Sequence, residues 1–404
     1  MGTRKTVGII GGGAAGLFAA ALLSECRNAD VTVLERGSRV GKKILVAGNG
    51  RCNLSHANTT EDAYDRPWFA AEVLSHFGVA DTIAAFRRMG LELYEEEGRL
   101  YPYSESGATV LEVLRAHIFD VVPEVVNYNA VDIHKNKDGT FTVRSETGDA
   151  RTFDFVILAC GNKAGVQDYN AFRLAYQCGL GIVEPRPVLV PLRTCNNIKV
   201  LTGLRARARV SLVVEDKVVE TREGEVQFRD GALSGIVVFE LSHTLAKNYP
   251  EIRQTSLEMD FFKERTEEEL VDMLASRLAS DSLLSARFHA GNDPRDVLAG
   301  WFHRKLADFL VKDATSVGEI VKRIKQSRFI ITDTLGFADA QAAAGGVSLN
   351  NVDAESCETD VAGLYCTGEM LDVSGTCGGY NLQWAWSTAA LAARDIKRQL
   401  GEQD

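Results

Sequence analysis

The sequence predicts an α/β fold: a dinucleotide-binding domain on a parallel sheet, interrupted by a β-rich insertion domain that carries a small helical part. Three observations predict it. Gly11, Gly13 and Gly16 sit between an apolar strand and an Ala/Leu-rich helix near the N-terminus. A second glycine loop, Gly375 to Gly379, opens the last helix. Between them, over residues 191–344, the pattern turns to antiparallel strands, then helices, then strands again.

The N-terminal stretch reads as a βαβ unit. Thr6–Ile10 is a short run of β-formers, the helix runs to about Cys26, and Val31–Leu34 is a second strand ending at Glu35. A lone GxGxxG says little, but between strand and helix, with an acid about 20 residues on, it is the Rossmann dinucleotide fingerprint. Gly11 permits the tight turn, Gly13 lets a pyrophosphate approach the backbone, and Gly16 lets helix and strand pack closely. Ala14 and Ala15 then begin a helix whose free N–H groups and positive dipole end face the phosphates. Glu35 is expected to accept from the adenosine ribose hydroxyls. An NAD dehydrogenase would place its substrate domain next. Here Glu35 is followed by Arg36 and by a glycine- and lysine-rich segment, GKKILVAGNGRCN, residues 41–53. This layout resembles the FAD-binding half of glutathione-reductase-like flavoproteins, in which the chain runs on along the cofactor toward the flavin. The resemblance makes Lys42, Lys43 and Asn53 candidates for cofactor contacts. Arg51 could clamp an anion or form a plain salt bridge.

Further along, residues 68–90 have helical spacing with a break near Gly78, residues 91–106 read as strand–turn–strand, and 107–119 as a helix. Period-two alternation broken at Asp138-Gly139 and Gly148-Asp149 gives a three-stranded meander. Val131 on its first strand is a cofactor candidate by the same resemblance. The meander feeds the strand Phe155–Ala159, which ends at Cys160 and Gly161, and the backbone from Ala159 to Gly161 is expected to pass close to the cofactor. The expected division is residues 1–190 and 345–404 for the FAD-binding domain and 191–344 for the insertion. Within the insertion, 191–255 and 326–344 form the β part and 256–325 the helical part. Finally Leu364–Thr367 is a strand ending at Gly368 and Glu369, and a helix from about Tyr380 to Leu400 follows the second glycine loop. Gly368, Glu369, Gly379, Asn381 and Leu382 complete the cofactor set. A helix N-terminus there would stabilise charge that builds on a reduced flavin.

Composition narrows the class. An apolar fraction of 45% and a charged fraction of 25% are those of an ordinary globular chain. A net charge of −10 argues against bulk electrostatic attachment to nucleic acid, although it leaves a local basic patch open. The eight cysteines show no CxxC spacing and no cluster with histidine, so neither zinc nor any other metal is expected, and free thiols in a reducing cytosol are the simplest reading. With no apolar signal region and no membrane-length run, a cytoplasmic protein without a membrane partner is expected.

GNGRCN at 48–53 together with GEMLDVSGTCGGYNLQWAW at 368–386 resembles a family of bacterial NAD(P)/FAD-dependent oxidoreductases. Its members include an aminoacetone oxidase, a bile-acid 3-oxo-Δ4,6 reductase and a ribosomal RNA dihydrouridine synthase. GEVQFRDGALSGIVVFELS at 224–242 resembles the family's insertion domain. The chain departs from the family at ACGNKAGVQDYN, 159–170, where similar proteins read ATGG and a longer loop. The resemblance implies FAD as the redox group. No second fingerprint follows residue 160, so NAD(P)H is expected only as a transient reductant. Reduction of an activated C=C bond needs a proton donor opposite the hydride, and the thiols Cys377 and Cys52 are the candidates. The favoured activity is such a reductase acting on a small molecule. A ribosomal RNA dihydrouridine synthase and an oxygen-dependent amine oxidase are the alternatives. Arg205, Arg207 and Arg209, alternating on one strand, would be the basic face an RNA partner needs. Oligomeric state is left open.

Overall fold

The computed structural model describes residues 4–166, 169–249, 251–278 and 294–402. The chain forms two compact units, Met1–Arg186 with Ala342–Asp404, and Pro187–Gln341.

The first unit is built on a five-stranded parallel sheet in the order Leu364–Cys366, Phe155–Leu158, Lys5–Ile10, Ala29–Leu34, Glu124–Val125. Its central strand is apolar on both faces, as a sheet covered on both sides requires, and Val7 and Ile9 are fully buried. The Ala14–Leu23 helix follows it. Phe18 packs edge-on to Trp386 of the C-terminal helix Tyr380–Gln399, 5.3 Å between ring centroids, and stacks on Phe86 at 5.2 Å. The break near Gly78 separates the helices Pro67–His76 and Val79–Arg88. Three smaller sheets complete the unit: the meander Ala130–Lys135, Phe141–Ser145, Ala150–Phe153; the sheet of Ser55–His56, Arg99–Pro102 and Leu93–Glu96; and the pair Ile182–Val188 with Ala342–Val347. Pro185 and Pro187 lie in that last pair, where a two-stranded sheet leaves one side of each strand without a ladder to break. Among the described residues no single helix is long and apolar enough to cross a membrane.

The second unit is a closed six-stranded antiparallel barrel, running Leu192–Thr194, Ala232–Ser234, Lys217–Arg229, Arg205–Val214, Thr255–Asp260, Ser327–Thr334 and back to the first. Val210, Leu212, Val226, Phe228, Leu257 and Met259 fill its own core. Two segments differ from the sequence expectation. Ile236–Asn248, inside the stretch read as strands, is a helix; its opening β-branched run hides buried positions at Val237, Val238, Leu241 and Leu245, a 3.6-residue period. Thr255–Asp260, mostly inside the stretch read as helical, is a barrel strand buried at Thr255, Ser256, Leu257 and Met259. The helices Glu267–Leu278, Arg304–Val311 and Val317–Lys325 fall where helices are expected, and residues 279–293 lie outside the described residues.

Candidate functional site

The three fingerprint glycines divide their roles by space. A Cβ on Gly11 (φ +111°) would lie 2.4 Å from the Ala159 carbonyl oxygen, and one on Gly16 would lie 1.9 Å from that of Gly11. Both positions exist to let backbone meet backbone. A Cβ on Gly13 meets nothing within 4 Å. Gly13 offers no side-chain cap, so the first N–H groups of the helix, from Ala14 and Ala15, have no intrahelical acceptor. Glu35 spans the turn: one carboxylate oxygen accepts from Gly12 N–H at 2.9 Å, the other from Gly37 N–H at 2.6 Å. Arg36 is exposed beside it. Val131 is the extra residue of a bulge, since Ala130 pairs with Ser145 and Asp132 already with Arg144. A bulge re-aims the side chain it carries.

The ends of two strands and a short helix converge next to this turn. Lys43 Nζ meets Glu369 Oε2 at 3.4 Å, and a Cβ on Gly161 (φ +70°) would lie 3.7 Å from that oxygen and 3.9 Å from that nitrogen. Gly368 N–H donates to Thr388 Oγ1 at 2.9 Å and its carbonyl accepts from Trp384 Nε1 at 3.1 Å, so the C-terminal helix sets the position of Glu369. Cys160 donates its thiol to the Ile10 carbonyl at 3.2 Å, and burial pushes it up to about 12.

The third side is GNGRCN against the second glycine loop. Asn53 is buried, and its Oδ1 has no hydrogen-bond donor; it lies 2.8 Å from where a Cβ on Gly379 (φ +97°) would sit. Gly379 gives the 20-residue C-terminal helix no side-chain cap, which leaves its first N–H groups open as at Gly13. Trp386 Nε1 donates to the Leu54 carbonyl at 3.0 Å and Ser55 Oγ to Gln383 Oε1 at 2.6 Å, fixing loop to helix.

Several sequence candidates change role. Cys52 is completely buried in the apolar core and its thiol is pushed up to about 12 by desolvation, so it is withdrawn as a proton donor to any ligand. Cys377, in the glycine loop, is half-buried. The Asn381 side chain closes that loop, accepting from Gly375 N–H at 2.8 Å and donating to Gly375 O at 2.9 Å. Leu382 packs against the core. Arg51 is engaged by Tyr94 and Glu96, at 2.6 and 3.0 Å, and is not turned to a phosphate. In the second unit Arg205 pairs with Glu225 at 3.4 Å and Arg209 with Glu223 at 3.0 Å, so glutamates of the neighbouring strand face the basic stripe.

Sequence reading missed one cluster. Arg66 donates from Nε and Nη2 to Asp372 Oδ2 at 3.2 and 2.8 Å; Asp372 Oδ1 accepts from Gly345 N–H at 3.0 Å, and Asp65 Oδ1 from Ser374 N–H at 2.8 Å. Both aspartates are buried, and desolvation raises the Asp372 carboxyl above its ordinary range. An acid–base pair directly before Pro67, the N1 proline of a helix, was the available signal.

Two glycine loops, each opening an uncapped helix, with an acid at the second strand end and a buried acceptor at the second loop, define a Rossmann-type oxidoreductase that works through a bound dinucleotide. The residues fit FAD: free N–H donors suit a pyrophosphate, Gly13 leaves it room, and Asn53 Oδ1 awaits an N–H such as a flavin ring carries. The chain matches the model described as HI0933-like protein Rossmann domain over residues 5–395. It belongs to that family and is an FAD-dependent oxidoreductase. It is 34% identical to the 3-dehydro-bile acid delta(4,6)-reductase of Clostridium scindens, over 96% of this chain and 98% of that protein. It is 27% identical to the ribosomal RNA dihydrouridine synthase of Haemophilus influenzae (97% and 98% covered) and 26% to that of Escherichia coli (96% and 97%).

Proposed function

We propose that the protein reduces an activated C=C bond of a small molecule, with NAD(P)H as electron source. Bound FAD, once reduced, supplies the hydride to the acceptor carbon. The chain's residues hold and orient. The N–H groups opened by Gly13 bind the pyrophosphate, Glu35 keeps acceptor capacity for ribose hydroxyls beyond its two backbone bonds, and the Lys43–Glu369 pair with Gly161 lines the path between. The N–H groups of the Tyr380–Gln399 helix and Asn53 Oδ1 hold the flavin ring. A preorganised helix end is worth more in a water-excluded site than in water, because it needs no reorganisation as charge develops. Cys377, in the glycine loop before that helix, would give the proton.

The observation that favours a bound cofactor here is Asn53 Oδ1, a buried acceptor without a donor beside an open helix end; an unsatisfied buried acceptor costs about 1–3 kcal/mol unless a ligand or water satisfies it. Whole-length similarity to a delta(4,6)-reductase favours a conjugated enone as acceptor. The dihydrouridine synthase reading draws on more distant relatives, and two of the three stripe arginines, Arg205 and Arg209, are already paired with glutamates. The test is anaerobic reduction with NADH and NADPH, then reoxidation by an enone panel, by unmodified ribosomal RNA, or by oxygen with an amine. Fastest turnover with an enone supports the reductase; turnover only with RNA or only with amine and oxygen replaces it.

A further inference from the structure

The loop of GNGRCN is held in a shape its sequence does not favour. Gly48 (φ 55°), Asn49 (φ 57°), Gly50 (φ 88°) and Cys52 (φ 56°) all lie in the left-handed region. Glycine enters it freely and asparagine tolerably, but cysteine does not. Such a conformation persists only where its surroundings over-determine it. One restraint is burial of the Cys52 side chain. The other is Arg51, the residue between, with ordinary helical φ of −75°.

Four groups hold the Arg51 guanidinium. Nη2 donates to Tyr94 Oη at 2.6 Å and to Glu96 Oε2 at 3.0 Å, Nε is ion-paired with Glu105 Oε2 at 3.2 Å without hydrogen-bond geometry, and the carbon centre sits 4.1 Å over the Tyr101 ring. Tyr94 Oη in turn donates to Glu105 at 2.7 Å. Three of these partners, Tyr94, Glu96 and Tyr101, belong to one hairpin, Leu93–Glu96 with Arg99–Pro102, and Glu105 follows directly. The fork is thus fixed in plane and direction, which a lysine cannot reproduce. The loop folds back on its own end: a Cβ on Gly48 would lie 3.0 Å from Asn53 N. The position of Asn53 Oδ1 against Gly379 therefore follows from the loop's shape.

We propose that Arg51 is a positioning residue for the cofactor. Its clamp on Tyr94, Tyr101, Glu96 and Glu105 fixes the strained loop so that Asn53 Oδ1 stands ready for an N–H of the bound flavin. Arg51 acts through Asn53 and touches neither FAD nor substrate. The inference rests on the FAD reading of the site.

The test is a double-mutant cycle on the full chain, prepared without cofactor and titrated with FAD. Dissociation constants come from flavin fluorescence, midpoint potentials from anaerobic dye equilibration, and circular-dichroism melts verify the fold. Arg51→Lys and Asn53→Ala are each expected to weaken FAD by roughly tenfold, the equivalent of one good hydrogen bond. The double variant is expected to bind no more weakly than Asn53→Ala alone, and both single variants to shift the flavin potential in the same direction. Tyr94→Phe replaces Arg51→Lys in the cycle if the lysine variant does not fold. Wild-type protein that binds FAD with an Arg51→Lys affinity and potential unchanged would overturn the inference alone, as would losses that multiply in the double variant. Wild-type protein that takes up no FAD would overturn the cofactor reading and the inference with it.

Discussion

Lys43 and Glu369, 326 positions apart in sequence, meet at 3.4 Å beside Gly161. The contact joins the segment that leaves the first βαβ unit to the turn that precedes the C-terminal helix. Glu369 is mostly covered while Lys43 is about half exposed. A pair this open contributes little to folding, about 0–1 kcal/mol. Lys43→Met is therefore expected to melt within a few degrees of wild type while binding FAD roughly tenfold more weakly. A melting curve and an FAD titration on the same sample measure the two effects.

Gly13 and Gly16 give opposite outcomes to one substitution. Gly16→Ala drives a methyl to 1.9 Å from the Gly11 carbonyl oxygen and should cost about 1–3 kcal/mol or more in stability. Gly13→Ala finds open space, so its fold should survive while its methyl stands where the pyrophosphate goes. Purified Gly13→Ala protein should be folded and colourless. A yellow Gly13→Ala protein with wild-type FAD affinity would refute this placement.

The thiols should separate by access. A thiol reagent at about pH 8 should modify exposed Cys195 quickly, and Cys52, Cys357 and Cys366 only as the chain unfolds. Burial raises these three thiols, so the neutral form persists through that pH. Cys377→Ser should slow enone reduction without loss of bound flavin. Cys52→Ala should leave the chemical step at its wild-type rate, read in single-turnover reoxidation; a slowed step would restore Cys52 as a donor.

Arg66 and Asp372 predict a pH dependence. The Asp372 carboxyl is raised by burial and partly offset by Arg66. A folded-state value above the unfolded one means that the folded protein holds the proton more firmly. The stability this contributes is present below the unfolded value and is lost as pH rises through the folded one. Arg66→Met removes the offset and leaves an unpaired buried carboxylate. Its melting deficit against wild type should be small near about pH 4 and grow toward about pH 8. A deficit independent of pH would show that Arg66 acts through packing alone.

The βαβ unit, the two glycine loops and the strand end at Cys160 were legible because each is local: a period, a turn or a fixed spacing carries it. The role of Arg51 was not, because its partners lie on a hairpin more than 40 residues later and no local pattern names them. Asn53 could be placed near the cofactor by motif, but its unsatisfied oxygen appears only when Gly379 is brought against it. The barrel was hidden for a similar reason. Leu192–Thr194 closes it by pairing with Thr334, Asp333 and Ile331, far along the chain, and the helix at Ile236 begins with residues that favour strands.

The dinucleotide site draws on residues 11–53, on 159–161 and on 368–382, with a whole unit of chain between the last two. This order has a consequence during synthesis. The nascent chain can complete the six barrel strands, with their separate core, once Thr334 has emerged. The Lys5–Ile10 strand by then has both its neighbours, Ala29–Leu34 and Phe155–Leu158, while the edge strand Leu364–Cys366 and the helix that buries Phe18 have yet to be made. A chain stalled before Gly379 would lack both the second glycine loop and the helix that buries Phe18, so its barrel is expected to fold before the first unit can hold a cofactor.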